Sequence, residues 1–406
     1  MTKTVLLLAS MAVALVVACG AVMAATPIGT IAVTDQGTLD GARGRDAALD
    51  GALKGLVARH GGPPGVIAIV QRGSHREVHA YGVRNIERGL PMRVGDRMRV
   101  ASTSKAYSGA VALSLVSKGT LSLNDTIGEF LSDLPKPPPD AWAEVTLRQL
   151  LNHTSGLPDY PESQAWQKGI TAHPTQAPRP EKLLSYAYNL NHKRLLFDPG
   201  SKFKYSNTDN VAVALMVEAA TGRTYESQLR EQVYGPLDLS TTSLPAGPNL
   251  RKPYIHGYDI SERPPEDGSE LLAGGWAWAS GGMVSTPAEL NTFIRAYVRG
   301  DLFNPQTRSK QRKVFEGGSS EPPGPGKNSA GLGVFRYETS CGTVWGHTGN
   351  IPGGYTQFMA ASSTGRRSAT VSINSRLTQT FGDPEAFKAL RRAEELAVCA
   401  ALAGKR

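Results

Sequence analysis

Three short clusters in this chain combine residue types that can carry out acyl transfer. Ser102-Thr103-Ser104-Lys105 sets a hydroxyl and an amine three residues apart. On a helix these positions share a face, so the Lys105 amine can reach the Ser102 hydroxyl. A helix N-terminus also favours negative charge developing on that oxygen. Such a pair is what an activated serine nucleophile needs. Tyr205-Ser206-Asn207 adds a phenol, which shuttles a proton when neighbouring cations lower its pKa, and a side-chain amide. His347-Thr348-Gly349, followed by Asn350, comes directly after a predicted strand, where Gly349 would let a substrate backbone approach closely. Each cluster alone has an ordinary explanation: a chance Ser/Lys pair, a helix N-cap, a core histidine beside a turn.

The elements that must position these residues are readable from periodicity. Residues 46–60 have helical spacing, with Leu49, Leu53, Leu56 and Val57 on one side. Residues 66–70 and 77–83 read as strands of a hairpin turning at Gly73-Ser74. After Ser102 an apolar helix runs with Ala106, Ala110, Leu113 and Val116 in register and stops at Gly119. Residues 120–270 alternate short helices with Pro-rich loops, and 210–220 form a strong helix ending at Gly222. Thr286-Pro287-Ala288-Glu289 reads as a capping box opening a helix to Val298. A polar loop over 316–329 precedes four strand-like runs, at 333–337, 343–346, 355–361 and 369–373, whose short connections require antiparallel pairing. A helix over 385–402 closes the chain. This is an α+β layout: one antiparallel sheet built from both termini and flanked by helices, with a mainly helical lobe inserted. The expected division is 46–100 with 271–406 as the sheet lobe and 101–270 as the helical lobe, the active site at their junction.

The 406 residues carry a net charge of +9, but no dense Lys/Arg block, so no nucleic-acid partner is expected. Residues 1–25 read as an export signal, with Lys3, an apolar run from Val5 to Ala18, and Val22-Met23-Ala24 before the cut; residues 26–45 read as a flexible lead-in. Val16-Val17-Ala18-Cys19 also has the form of a lipobox, so plain secretion and a lipid anchor on Cys19 both stand. Outside this segment the cysteines are Cys341 and Cys399, and in an oxidising compartment they are expected to pair. No cofactor and no metal are expected: His75 and His79 have H-x-x-x-H spacing, but four residues along a strand span about 13 Å, too far for two ligands of one ion.

Taken together, S-x-x-K, Y-x-N and H-T-G in this order resemble the penicillin-recognising serine hydrolases, the serine D-alanyl-D-alanine carboxypeptidases and class C β-lactamases. Two more stretches, Leu150-Leu151-Asn152-His153-Thr154-Ser155-Gly156-Leu157-Pro158 and Phe197-Asp198-Pro199-Gly200, look like signatures of the same family. His347, where class C β-lactamases usually carry Lys, and the pair Cys341 and Cys399 resemble the secreted actinobacterial carboxypeptidases. The resemblance implies Ser102, Lys105 and Tyr205 as catalytic residues, with either Lys105 or Tyr205 as base. It implies oxyanion donors at the Ser102 and Asn350 N–H groups, the last motif on an edge strand, and Asn207, His347, Thr348 and Gly349 as substrate-binding residues. Trp276 falls near the cleft by the same resemblance, a core role being as readily expected. The implied activity is a secreted, monomeric, penicillin-binding carboxypeptidase of peptidoglycan stem peptides, with association to the cell wall. A β-lactamase, an esterase or D-amino-acid amidase of the same fold, or a non-catalytic penicillin sensor are the alternatives.

Overall fold

The computed structural model describes residues 43–261 and 264–403, with side chains from Asp46 onward. The expected export signal, Cys19 and nearly all of the lead-in lie outside the described residues. Among those described, no helix is long and apolar enough to cross a membrane.

Nine strands form one antiparallel sheet. In chain order they are β1 (Gly65–Arg72), β2 (His75–Asn85), β3 (Leu90–Pro91), β4 (Phe315–Glu316), β5 (Lys327–Ala330), β6 (Phe335–Thr339), β7 (Gly342–Ile351), β8 (Tyr355–Ala361) and β9 (Arg367–Ile373). Their spatial order is β3-β2-β1-β9-β8-β7-β6-β5-β4. The N-terminal hairpin joins the C-terminal strands where β1 pairs with β9, from Val66 opposite Ile373 to Arg72 opposite Arg367. β4 and β5 fall at the two ends of the stretch expected to be an irregular loop; they pair with each other, and β4 forms one edge of the sheet.

Alternation along the strands separates two cores, because successive side chains point to opposite faces. Val66, Ala68 and Val70 of β1, with Phe358 and Ala360 of β8, face two helices, α1 (Arg43–Ala58) and α5 (Pro384–Leu402). Leu49, Leu53 and Leu56 of α1 are fully buried there, each stabilising by roughly 1.5–3 kcal/mol. Met359 and Ala361 of β8 face the opposite core, shared with α2 (Ser104–Lys118), α3 (Asn207–Thr221) and α4 (Pro287–Arg299). Gly119 and Gly222 end α2 and α3 in the left-handed conformation that the sequence led one to expect. At α4 the expected capping box is half made. Thr286 accepts from the Glu289 N–H, but the Glu289 carboxylate turns instead to the Thr241 N–H and the Thr242 hydroxyl.

Cys341, in the β6–β7 turn, and Cys399, on α5, lie with their Cα atoms 5.2 Å apart and their sulfurs in bonding contact. The pairing would close a loop over a sequence separation of 58, about 4 kcal/mol in the chain-entropy model. Titration of unfolded, unreduced protein lacking residues 1–25 is expected to find no free thiol; two free thiols would show that the sulfurs are not joined.

Candidate active site

Ser102 is partly exposed, at the point where the start of α2 meets β7 and β8 of the sheet. It lies in a 3-10 turn, Ala101–Thr103, that runs straight into α2, so the S-x-x-K motif straddles a turn and the first turn of the helix. Ala101 takes a left-handed φ of 52°. That conformation costs a non-glycine residue about 1–3 kcal/mol, which the surrounding burial must offset.

Lys105 is enclosed by protein. Its Nζ lies 2.7 Å from Asn207 Oδ1, 2.7 Å from the Ser280 carbonyl oxygen and 3.1 Å from Ser102 Oγ. Burial lowers its pKa to about 7, against the opposing pull of Asp159, Glu321 and Asp209. A neutral amine has two N–H donors and one lone pair. With Asn207 and Ser280 accepting the two hydrogens, the lone pair faces the Ser102 hydroxyl, as a general base requires.

Tyr205 is buried in an aromatic cluster, its ring 4.6 Å from that of His153 and 6.4 Å from those of Phe335 and His347, with Lys105 Nζ 4.9 Å from its centroid. Burial pushes the phenol well above its ordinary range, and the nearby Ser102 hydroxyl offsets only part of this. The phenol oxygen is shut off from solvent and lacks a hydrogen-bond partner of good geometry in the protein. Behind it, His153 Nδ1 lies 2.8 Å from Asp209 Oδ2, and the Ser155 hydroxyl donates to Asp209 Oδ1. Burial drives the His153 pKa down to about 3 and the Asp209 pKa well up.

Asn207 is oriented by Asp159, which accepts the Asn207 backbone N–H at 2.7 Å and its Nδ2 at 2.9 Å. Lys105 on one side and Asp159 on the other leave no freedom to flip the amide, and one Nδ2–H remains for a ligand. Burial raises the Asp159 pKa to about 7, despite the Asn207 N–H and the Lys105 charge.

The third motif differs from expectation in two ways. β7 is not an edge strand of the sheet. However, β6 pairs with it only from Gly342 to Gly346, so the following H-T-G-N half is uncovered on that side. Gly349 lies against the nucleophile turn: a Cβ there would lie 2.7 Å from the Ser102 nitrogen, 2.9 Å from the Thr103 nitrogen and 2.9 Å from the Val100 oxygen. Glycine lets strand and nucleophile turn meet backbone to backbone. His347 and Thr348 are both buried. The His347 ring is neutral, its pKa lowered to about 3 by burial, with Nδ1 toward the Thr348 carbonyl, and the Thr348 hydroxyl donates to the Pro322 carbonyl. Ser102, Asn207 and Asn350 stay partly exposed.

Trp276 is a core residue, 4% exposed, in the cluster shared with α2, α3 and α4. Its indole donates to the His173 carbonyl and packs against Trp166 and Tyr186. The residues missed by sequence reasoning are His153, Asp159, Asp209, Ser280 and Glu321. His153 stands in a stretch already singled out, and Asp159 directly follows it; the Ser280 carbonyl left no signal, because any residue type could have supplied it.

Two outcomes follow. Gly349→Ala is expected to slow acylation of Ser102 by roughly 10²–10³, the loss typical of a displaced oxyanion donor, with an unchanged circular-dichroism spectrum; wild-type kinetics would show that the contact is not needed. The rate should rise with pH as Lys105 loses its proton around 7. Asp159→Asn removes the carboxylate that raises the Lys105 pKa, so the acidic limb of kcat/KM is expected to move to lower pH. A limb moving upward would contradict the sign of that coupling.

The sequence model of the β-lactamase family matches residues 49–395. AmpH of Escherichia coli, a D-alanyl-D-alanine-carboxypeptidase/endopeptidase, is 26% identical over 254 residues, 63% of this chain and 62% of AmpH. A D-aminopeptidase of Cereibacter sphaeroides is 30% identical over 217 residues, 53% of this chain and 39% of that protein. The aligned regions thus span less than two thirds of either relative. The structure of a D-stereospecific amidohydrolase from Streptomyces sp. superposes with a TM-score of 0.71 at 29% identity, covering 85% of this chain and 98% of the other. A D-amino acid amidase from Ochrobactrum anthropi shares the fold, with a TM-score of 0.72 at 23% identity over 87% of this chain and 98% of its own. With the family match extending over nearly the whole described region, the chain belongs to the β-lactamase family of serine hydrolases.

Proposed function

We propose that the protein hydrolyses amides or peptides of D-amino acids that carry a free α-amino group, through an acyl-enzyme on Ser102. The observation that carries this reading is the charge at the cleft mouth. Glu321 is exposed there, its backbone oxygen 3.4 Å from Asn350 Nδ2, and its carboxyl acts on both Lys105 and Tyr205. The surrounding protein raises its pKa, and among the described residues it has no ion-pair or hydrogen-bond partner for its side chain. The neighbouring cations are engaged: Lys204 with Glu162, and Arg376 with Asn350 Oδ1 and the Phe381 ring. An ammonium group would supply the missing partner, whereas a terminal carboxylate would meet like charge and a neutral His347. The sign of the Glu321 charge favours an ammonium over a carboxylate at this position, an effect that salt screens because the group is exposed.

In this reading the Ser102 Oγ–H proton passes to the neutral Lys105 amine as Oγ bonds to the carbonyl carbon. The Ser102 and Asn350 N–H groups receive the oxyanion. The neutral Tyr205 phenol protonates the departing amine and is itself reprotonated from Lys105, and water then releases the D-amino acid by the reverse sequence. Lys105 is the base because its pKa comes down toward neutrality while that of Tyr205 goes up.

A carboxypeptidase acting on peptidoglycan stems, exported from the cell, is the second reading, favoured by the likeness to AmpH and by the H-T-G motif. Kinetics on D-alanine amide, its N-acetyl derivative and an N-acylated D-alanyl-D-alanine separate the two. The free amine is expected to be preferred by about 10²-fold or more in kcat/KM, and Glu321→Gln should remove most of that preference. Faster turnover of the N-acylated dipeptide would overturn the proposal in favour of the carboxypeptidase.

A further inference from the structure

The odd-numbered residues of β2 face α1. There Asp50 accepts the Tyr81 hydroxyl at 2.5 Å and lies 2.7 Å from His79 Nδ1. Asp46 stands one helical turn earlier, on the same face. Arg72 bridges Asp46 Oδ1 at 2.6 Å and Glu77 Oε1 at 2.5 Å, the latter also 2.8 Å from His75 Nε2. Each of these carboxylates therefore keeps its second oxygen. His79 Nε2 is shut off from solvent and makes no hydrogen bond, although the side chain is 90% buried; Glu77 Oε2 lies 3.9 Å from it. Donor atoms of Asp46, Glu77 and His79 lie within 4.8 Å of one another.

We propose that Asp46, Glu77 and His79 form a divalent-cation site of the zinc type, which ties helix α1 to strand β2. With its Nδ1–H directed at Asp50, a neutral His79 ring presents the Nε2 lone pair to the two carboxylates. This carboxylate–histidine arrangement is the one that fixes the tautomer of a metal-bound imidazole. Donors about 2.0–2.1 Å from a tetrahedral ion are roughly 3.3 Å apart, so closure needs side-chain shifts of about 1 Å and leaves one position for water. Three carboxylates facing one guanidinium leave a net negative charge that a divalent ion neutralises, and one imidazole with two carboxylates suits zinc better than calcium or magnesium. His75 lies outside this donor set. The donors come instead from His79 with Glu77, two residues apart on one face of the strand, and from a helix whose approach the strand spacing does not reveal.

Zinc titration of the dialysed protein by calorimetry, with thermal unfolding in parallel, tests this. One equivalent is expected to bind and raise Tm. His79→Gln should weaken binding at least 100-fold. Asp50→Asn, which retains all three ligands, should weaken it about 10–100-fold, and both variants should keep wild-type hydrolase kinetics. No uptake by the wild type, or undiminished uptake by His79→Gln, would overturn the site and leave an Arg72-centred ion-pair cluster. Should His79→Gln fail to fold, the His79 imidazole resonances of the wild type decide: they must shift on adding zinc, and unchanged resonances would overturn the proposal.

Discussion

An ammonium group removed from water is costly, and that cost organises the cleft. Lys105 is held where its charged form is disfavoured, yet its hydrogens are accepted by Asn207 and by the Ser280 carbonyl. Desolvation brings its pKa to near neutrality, and the carboxylates of Asp159, Glu321 and Asp209 keep it from falling further. The rest of the site follows from this balance. Asn207 must be clamped by Asp159 to point its oxygen at the amine. Tyr205 must stay a neutral phenol, because the same burial that lowers an amine raises a phenol.

The second requirement is contact between distant segments. The nucleophile turn belongs to the start of the helical lobe and β7 to the C-terminal half of the sheet. They touch through backbone atoms at Gly349, where any side chain would push against the Ser102 and Thr103 nitrogens. This contact depends on the closure of the sheet between β1 and β9, which brings the N-terminal hairpin and the C-terminal strands into one layer. Stability of the sheet lobe and competence of the site are thereby joined. Helices α1 and α5, which never approach Ser102, hold the layer against which the turn is pressed.

Much of this was legible in the residues. The continuous apolar run of β1, buried on both faces, and the 3.6-residue spacing of α1 and α2 are local patterns that burial imposes. Gly119 and Gly222 were readable as helix ends because only a left-handed residue finishes those turns well. The short strands β3, β4 and β5 were not legible: two to four residues carry no period, and their pairing is decided by neighbours elsewhere. Trp276 was open for a related reason, since an indole suits a cleft wall and a core equally, and only its packing against Trp166 and Tyr186 decides for the core.

The sequence by itself determined the chemistry available: a serine, a lysine three residues later, a tyrosine and an H-T-G, in an order that few serine hydrolases outside one family share. Covalent identity and local spacing suffice for that. Only the tertiary structure decided how these groups are charged and what they face. The pKa values of Lys105 and Tyr205 depend on how much water is excluded around them, and the unpartnered carboxyl of Glu321 on which cations lie within reach. The cluster of Asp46, Glu77 and His79 depends on a helix packing across a strand. Desolvation and through-space charge are properties of three-dimensional neighbours, and those neighbours are far apart along the chain.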